Sequence, residues 1–240
     1  MAATCDRVAT PGDLLGSQRC RPVRRSWRPE VRSGIERDKS EMSERLLSGF
    51  RSFHARRYRR RQEFFRKLVQ EGQQPEVLVV ACSDSRVDPT LLLDADFGEL
   101  FVVRNVAAIV PHYLPDGRLH ATGAALEYGV KVLEVRHILV LGHAHCGGVA
   151  AARTGPPADC GDFLAPWTAA LADAVGEAPD AAEAERRTIL CSLRNLWSYP
   201  WIADRLRRGS LELHGWRFDI AAGRLEIYDE RHRSFRTFLP

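Results

Sequence analysis

The fold is indicated most clearly by VLVVACSDSR, residues 77–86. Its first five residues are apolar without alternation, which is typical of a β-strand buried on both faces of a parallel sheet. A second run of this kind, HILVL at residues 137–141, is followed by GHAHCGG at residues 142–148. The chain between the two runs is long enough for a crossover helix. The pattern predicts an α/β fold, with a mostly parallel central sheet flanked by helices.

Potential metal ligands come directly after both apolar runs. Cys82 follows the first run, and His143 and Cys146 follow the second. Ligands of open α/β sheets collect beyond the carboxyl ends of the strands, so these residues are expected to meet there. Two thiolates and an imidazole suit Zn²⁺, and three protein ligands leave the open position that a catalytic site needs. The joint pattern predicts one Zn²⁺ per chain, although each stretch alone favours a buried, apolar cysteine.

These motifs resemble those of the β-class carbonic anhydrases. The similarity extends from about residue 44 to residue 228 and includes GELFVVRNVA at 98–107 and TGAALEY at 122–128. It implies an enzyme that reversibly hydrates carbon dioxide to bicarbonate and a proton, with zinc hydroxide as the nucleophile. It also implies that Cys82, His143 and Cys146 are the zinc ligands.

Asp84 and Arg86 belong to the first motif and are expected to act beside the metal. A carboxylate there could bind the metal as a fourth ligand, or accept a hydrogen bond from zinc hydroxide and orient it. A bidentate pair with Arg86 would hold Asp84 off the metal and keep it ionised. The resemblance implies this second arrangement, in which Asp84 is the acceptor and gate. An ordinary surface salt bridge is the alternative.

Carbon dioxide is small and apolar, so its site needs a dry pocket more than it needs polar contacts. The resemblance assigns the lining of this pocket to Phe101, Val106 and Tyr128. It assigns hydrogen-bond donors to the side chain of Gln73 and to the backbone N–H of Gly147. Gln73, Phe101 and Tyr128 would reach a partner subunit's site, which makes a homodimer the smallest functional unit and leaves higher homo-oligomers open. A plain core role remains equally open for Phe101 and Tyr128.

One position bears on regulation. Some members of the family are regulated by bicarbonate at a second site, which uses a Trp three residues before the first zinc cysteine. Val79 occupies that position here. Together with Gln73, it resembles the unregulated subgroup, whose site stays open.

Length and composition suit a single enzyme domain. A chain of 240 residues with 45% hydrophobic content can bury a full core. No apolar stretch approaches the roughly 18 residues needed to cross a bilayer, so a membrane protein is not expected. The six cysteines lack the regular spacing of a disulfide framework. Thiolate ligands fit a reducing compartment, and a cytoplasmic location is therefore predicted.

The front of the chain differs from the rest. Residues 1–72 carry 18 Lys or Arg and 9 Asp or Glu, against 17 and 22 in the remainder. Residues 1–41, rich in Arg, Pro and Ser, are predicted to be a disordered extension, and residues 42–240 a single catalytic domain. Apolar spacing between residues 46 and 68 predicts a long N-terminal helix. The basic run at 56–61 is assigned to its solvated or subunit-facing side, and no nucleic-acid partner is expected.

Two other functions remain open at this point. An enzyme of the same fold could use zinc hydroxide to hydrolyse carbonyl sulfide or carbon disulfide, and the motifs separate these substrates poorly. A noncatalytic zinc or nucleic-acid-binding protein is the alternative of another class. Asp84, Arg86 and Gln73 argue against that alternative, because a structural zinc site would close with a fourth Cys or His.

Overall fold

The structure, a computed structural model, describes residues 35–238, with side chains from residue 41. These described residues divide into two units, one ending at residue 63 and the other beginning at residue 64. Helix α1 (Ile35–Phe53) is the first described element, so the predicted domain boundary after residue 41 falls inside a helix. The rest of the predicted N-terminal extension lies outside the described residues.

The predicted long N-terminal helix is present, but its geometry changes at the basic run. Helix α1 is followed by a π-helical turn (His54–Tyr58) and a 3-10 turn (Arg59–Arg61) before α2 (Gln62–Glu71). The arginines at positions 56, 57, 59 and 60 are exposed, as predicted for a solvated side. Gly72 ends the helical stretch with a φ of +74°, which is the left-handed conformation that glycine adopts readily.

The second unit contains a six-stranded sheet in the order β2-β1-β3-β4-β5-β6. Its strands are β1 (Val77–Cys82), β2 (Leu100–Asn105), β3 (His137–His143), β4 (Glu212–Asp219), β5 (Arg224–Asp229) and β6 (Ser234–Phe238). Strands β1 to β4 run parallel, whereas β5 and β6 are added in antiparallel pairs. The prediction of a mostly parallel sheet is confirmed, and the apolar runs at 77–81 and 137–141 are its central strands.

Helices connect and flank these strands. They are α3 (Pro89–Leu92), α4 (Ala121–Glu127), α5 (Gly147–Thr154), α6 (Leu164–Ala169), α7 (Ala172–Val175), α8 (Ala181–Leu196) and α9 (Pro200–Arg207). Pro200 separates α8 from α9, because proline lacks the N–H that would continue a helix but fits its first turn. Among residues 35–238, every helix is too short or too polar to span a lipid bilayer.

Alternate residues of the central strands pack into different apolar clusters on the two faces of the sheet. One face contributes Leu78, Val80, Ile138 and Val140, which cluster with Ile189, Leu193 and Leu196 of α8. The opposite face contributes Val79, Ala81, Leu139 and Leu141. A third cluster, at the carboxyl end of β1, includes Cys82, Ala107, Ile109, Cys146 and Val149. The predicted metal ligands therefore lie where the sheet ends and an apolar shell continues.

Candidate metal centre

Cys82, His143 and Cys146 come together at the carboxyl ends of β1 and β3. The two strands are parallel neighbours, so Cys82 and His143 end at the same edge of the sheet. The Cys82 and Cys146 sulfurs lie 3.9 Å apart, and the three ligand atoms are all within 4.8 Å of one another. Tetrahedral zinc with Zn–S bonds of about 2.3 Å separates two sulfurs by about 3.8 Å. The three buried side chains could thus hold a metal ion in the predicted manner.

One ring nitrogen of His143 is available to coordinate a metal ion. Its Nδ1 lies 2.9 Å from the carbonyl oxygen of Ala144, to which it can donate a hydrogen bond. That tautomer leaves a lone pair on Nε2, which is buried and has no hydrogen-bond partner within residues 41–238. Burying such an atom costs free energy unless it is satisfied. A metal ion coordinated by Nε2 and the two sulfurs would satisfy it.

The two thiols titrate as a pair. A hydrogen bond from Cys146 lowers the pKa of Cys82 below that of an ordinary thiol, although burial acts in the opposite direction. The same hydrogen bond, together with burial, raises the pKa of Cys146. One thiolate therefore forms readily, and the second is unfavourable beside it. A divalent cation would offset both charges, so metal binding and loss of the second proton would be coupled.

Asp84 and Arg86 form the predicted bidentate pair beside this cluster. Arg86 donates from Nε to Asp84 Oδ1 at 2.9 Å and from Nη2 to Oδ2 at 2.7 Å. These bonds, with that from the Arg86 backbone N–H, lower the pKa of Asp84. Arg86 Nη2 also donates to the carbonyl oxygen of His145 at 3.1 Å. Asp84 is thus an oriented carboxylate whose Oδ2 lies 3.8 Å from Nε2 of His143.

Arg104 supports the segment that carries Cys82 and Asp84. Its Nε donates to the carbonyl oxygen of Cys82 at 2.9 Å, and its Nη2 donates to that of Asp84 at 2.6 Å. Nη1 pairs with Asp88 at 3.0 Å. Arg104 was not predicted as a site residue, and its place in the 98–107 motif is the signal that could have identified it.

The loop after β2 has a strained backbone that side chains hold in place. Ala107 and Ala108 have φ values of +66° and +54°, which is costly for residues other than glycine. Asn105 accepts from the backbone N–H of Ile109 and donates to the carbonyl oxygen of Ile109, both at 2.8 Å. Ser192 donates to the carbonyl oxygen of Ala108 at 3.1 Å. The wall of the site is therefore fixed by local contacts from Asn105 and by one contact from Ser192, which is 84 residues from Ala108 in the sequence.

Glu185 is a buried carboxylate behind the candidate ligand Cys146. The backbone N–H of Cys146 donates to its Oε1 at 3.4 Å, and Arg217 donates to its Oε2 at 2.9 and 2.7 Å. Glu185 and Arg217 are both almost fully buried. No motif in the sequence marks this pair, because its residues lie on α8 and β4. Its position indicates that it anchors the backbone of a candidate metal ligand, Cys146.

Glu185→Gln is expected to lower the free energy of unfolding by about 3 kcal/mol, because the substitution removes the charge that balances buried Arg217. Arg217 keeps a weaker partner in Glu226, at 3.3 Å. The matched control is Glu183→Gln on the same helix, where Glu183 pairs with Arg187 nearer the surface. That control is expected to cost less than about 1 kcal/mol. Urea unfolding of the zinc-loaded proteins measures both, and equal losses would contradict the assignment.

The predicted substrate residues Val106 and Gly147 lie close to the candidate metal ligands. Gly147 is the first residue of α5, directly after Cys146. Val106 belongs to a 3-10 turn (Val106–Ala108) that packs against the start of α5. A Cβ atom on Gly148 would lie only 2.6 Å from Val106 Cγ1 and 2.9 Å from the Cβ of Ala107. The missing side chain at position 148 therefore permits the close packing of this turn on α5.

Gly148→Ala is expected to lower the free energy of unfolding by about 1–3 kcal/mol, since the added methyl group must displace the turn at Val106. Gly147→Ala is the matched control, because a Cβ at position 147 meets no atom within 4 Å. Thermal unfolding of both variants tests the difference. A Gly147→Ala variant as unstable as Gly148→Ala would show that helix geometry, rather than the contact, accounts for the loss.

Gln73, Phe101 and Tyr128 are not brought to the metal ligands of the same chain. Phe101 stacks on Tyr128 with ring centroids 5.8 Å apart. On β2, Phe101 lies four residues before Asn105, which is aligned with Cys82. At about 3.3 Å per residue, this places it about 13 Å along the strand from the ligand end. Gln73 precedes β1 and is exposed. These three residues therefore lie towards the amino ends of the central strands.

The family model described as carbonic anhydrase matches residues 77–225, which include the three candidate ligands, Asp84, Arg86 and the strands that carry them. The chain belongs to the β-carbonic anhydrase family. A carbonic anhydrase of Pseudomonas aeruginosa is 37% identical over 199 residues, covering 79% of this chain and 89% of that protein. Beta carbonic anhydrase 3 of Arabidopsis thaliana is 33% identical, covering 81% and 80%. The sequence-based predictions that the chain is a β-class carbonic anhydrase and an enzyme are confirmed.

Solved β-carbonic anhydrases have the same fold. The β-carbonic anhydrase CcaA superposes with a TM-score of 0.72 at 31% identity and covers 83% of this chain and 93% of its own. One of two β-carbonic anhydrases described as tetrameric, from the fungus Sordaria macrospora, gives a TM-score of 0.66 at 31% identity, with coverages of 78% and 96%. The α/β fold inferred from the central strands is thus the fold of this family.

Proposed function

We propose that the chain catalyses the reversible hydration of carbon dioxide to bicarbonate and a proton, with one Zn²⁺ held by Cys82, His143 and Cys146. The observation that carries the proposal is the unsatisfied Nε2 of His143, buried beside two thiols at zinc-like separation. Zinc at this place would supply the Lewis acid that makes water a nucleophile towards carbon dioxide. Three protein ligands would leave a fourth position for that water.

Asp84 would orient the attacking water. Both carboxylate oxygens are engaged by Arg86, and Oδ2 lies near the ligand nitrogen of His143. From there Oδ2 can accept a hydrogen bond from the water and align its lone pair with the substrate. The bidentate pair favours a site that Asp84 does not close, in line with the open-site subgroup. A crystal structure at neutral pH with Asp84 bound to the metal would contradict the subgroup assignment.

A second copy of the chain would complete the substrate pocket. Phe101 and Tyr128 are too far along the sheet to line the site of their own chain, yet Tyr128 is 44% exposed and available to a partner. Val106, 37% exposed, and the N–H of Gly147 would supply the wall and a donor from the same chain. The tetrameric assembly of the Sordaria enzymes supports a homo-oligomer here. Gln73 as a donor from the partner, and a cytoplasmic location, remain predictions.

Activity is expected to rise with pH between 6 and 9. Two thiolates and a neutral imidazole would offset the charge of a bound Zn²⁺, so water would be acidified less than in a three-imidazole site, where its pKa is about 7. Titration of Asp84 does not contribute to the pH–rate profile in this range, because Arg86 lowers the pKa of Asp84 and keeps it ionised. Raising the pH would then increase the deprotonated fraction of that water, and the rate would increase with it. A kcat/KM that stays flat under non-limiting buffer would contradict this ligand assignment.

Stopped-flow carbon dioxide hydration near pH 8.5 tests the proposed function, using protein brought to one zinc per chain. Fast hydration that is abolished by a metal-binding anion is the expected result. Negligible hydration at full zinc content would overturn the proposal. Carbonyl sulfide and carbon disulfide are then assayed on the same sample, since turnover of either would identify a hydrolase on the same site. Inactivity towards all three would favour the noncatalytic alternative.

A further inference from the structure

A second group of metal-ligating side chains lies at the opposite end of β3. It consists of His137, Glu212 and His214, whose ligand atoms all lie within 4.8 Å of one another. Nε2 of His214 is 3.2 Å from Nδ1 of His137. The nearer Glu212 oxygen is 3.7 Å from His137 Nδ1 and 3.9 Å from His214 Nε2. Three potential donor atoms thus surround one small space.

The sheet itself holds these side chains together. His137, the first residue of β3, is aligned with Glu212, the first residue of β4. His214 follows two residues later on β4, so its side chain lies on the same face as that of Glu212. Positions on paired strands are rigid compared with positions on loops. The group is therefore preorganised by backbone hydrogen bonds.

The group is separate from the catalytic centre. His137 begins the strand that His143 ends, six residues later. At about 3.3 Å per residue, the two ends are about 20 Å apart. The catalytic machinery uses none of the three residues, and none belongs to the motifs at 81–86 and 142–148.

The spacing of the donor atoms fits a tetrahedral ion. Bonds of about 2.0–2.1 Å to nitrogen or oxygen place two ligands of tetrahedral zinc about 3.3 Å apart. The three observed separations, 3.2, 3.7 and 3.9 Å, need to contract only slightly around an ion. Two imidazoles and a carboxylate are borderline donors that suit late first-row divalent ions, of which zinc is typical.

Charge and exposure also favour a cation. Burial, and the nearby His137, lower the pKa of His214, which favours the neutral imidazole that can coordinate a cation. Glu212 contributes a negative charge, and Glu230 adds another to the field at His214. The Glu212 side chain is 66% exposed and the imidazole of His214 is 35% exposed, so an ion can enter from solvent.

We propose that His137, Glu212 and His214 form a second zinc site, in which water occupies the fourth position. The bound ion links the amino ends of β3 and β4. This site takes Zn²⁺ in addition to the ion held by the two cysteines and His143.

Metal analysis after equilibrium dialysis against Zn²⁺ tests the site in the full chain, starting from protein with one zinc per chain. A second equivalent is expected to bind. His214→Ala is expected to weaken binding of the second equivalent at least about tenfold, because loss of outer-shell partners alone costs 10–100-fold. The first equivalent and carbon dioxide hydration should not change. His232→Ala is the matched control, since it removes a histidine that pairs with Asp229 at 2.8 Å outside the cluster.

Glu212→Gln provides an independent variant, because its exposed side chain can be changed with little effect on folding. Glu212→Gln is expected to weaken binding of the second zinc equivalent as well. Failure of the parent protein to bind a second equivalent would overturn the proposal. Binding that His214→Ala and Glu212→Gln both leave unchanged would do the same, because the ion would then lie elsewhere.

Discussion

Cys146→Ser is expected to remove the catalytic zinc and to lower kcat/KM for carbon dioxide hydration by at least about 10³-fold. A serine hydroxyl does not ionise near neutral pH, so the site loses one of two anionic ligands while its volume barely changes. The Cys146 sulfur, which the serine hydroxyl replaces, lies 3.9 Å from the Cys82 sulfur and close to the unsatisfied Nε2 of His143. Zinc content after dialysis and stopped-flow hydration measure the two effects together.

Cys191→Ser is the control for this substitution. Cys191 is also a buried cysteine, on α8, where its sulfur lies 3.9 Å from Nδ2 of Asn195 and outside the ligand group. The control should keep one zinc per chain and nearly full activity. If Cys146→Ser retained both zinc and activity, Cys146 would not be a ligand.

Asp84→Asn is expected to lower kcat/KM by about 10²–10³-fold while the catalytic zinc is retained. The amide cannot be a carboxylate acceptor for the attacking water, and it loses the charge that pairs with Arg86 at 2.7 Å. The ligands themselves are untouched, so zinc content should equal that of the parent protein. Metal analysis and stopped-flow rates on the same sample separate this outcome from simple loss of the ion.

Asp116→Asn provides the comparison, because Asp116 is also held by an arginine and a histidine, Arg118 and His120, but on an exposed loop. Its activity should match that of the parent protein. A fully active Asp84→Asn variant would show that the Asp84–Arg86 pair is an ordinary salt bridge with no role in the reaction. A variant lacking zinc would instead place Asp84 among the metal ligands.

The central strands, and the meeting of the candidate ligands at their ends, were predictable because each depends on a short stretch of chain. A strand buried on both faces needs a continuous apolar run, and residues 77–81 and 137–141 are such runs. Parallel strands present their carboxyl ends at one edge, so Cys82 and His143 could be expected to meet. The bidentate geometry of Asp84 and Arg86 follows from their separation by one residue at a strand end.

The supporting residues were not predictable in this way. Arg104 donates to the carbonyl oxygen of Cys82, 22 residues away, and Glu185 accepts from the backbone N–H of Cys146, 39 residues away. Arginine and glutamate are common on protein surfaces, so nothing in their local sequence separates a buried partner from a solvated charge. Their roles depend on which helices and strands become neighbours.

Local sequence therefore accounts for the strands, the ligand types and the family of this chain, since apolar runs and motifs act over a few residues. The strand order β2-β1-β3-β4 and the register within it come from packing of the whole core. That register aligns Cys82 with Asn105, sets Phe101 far from its own metal ligands, and brings His137 to Glu212. Such contacts join residues that are distant in sequence, and they form only when both faces of the sheet are buried together.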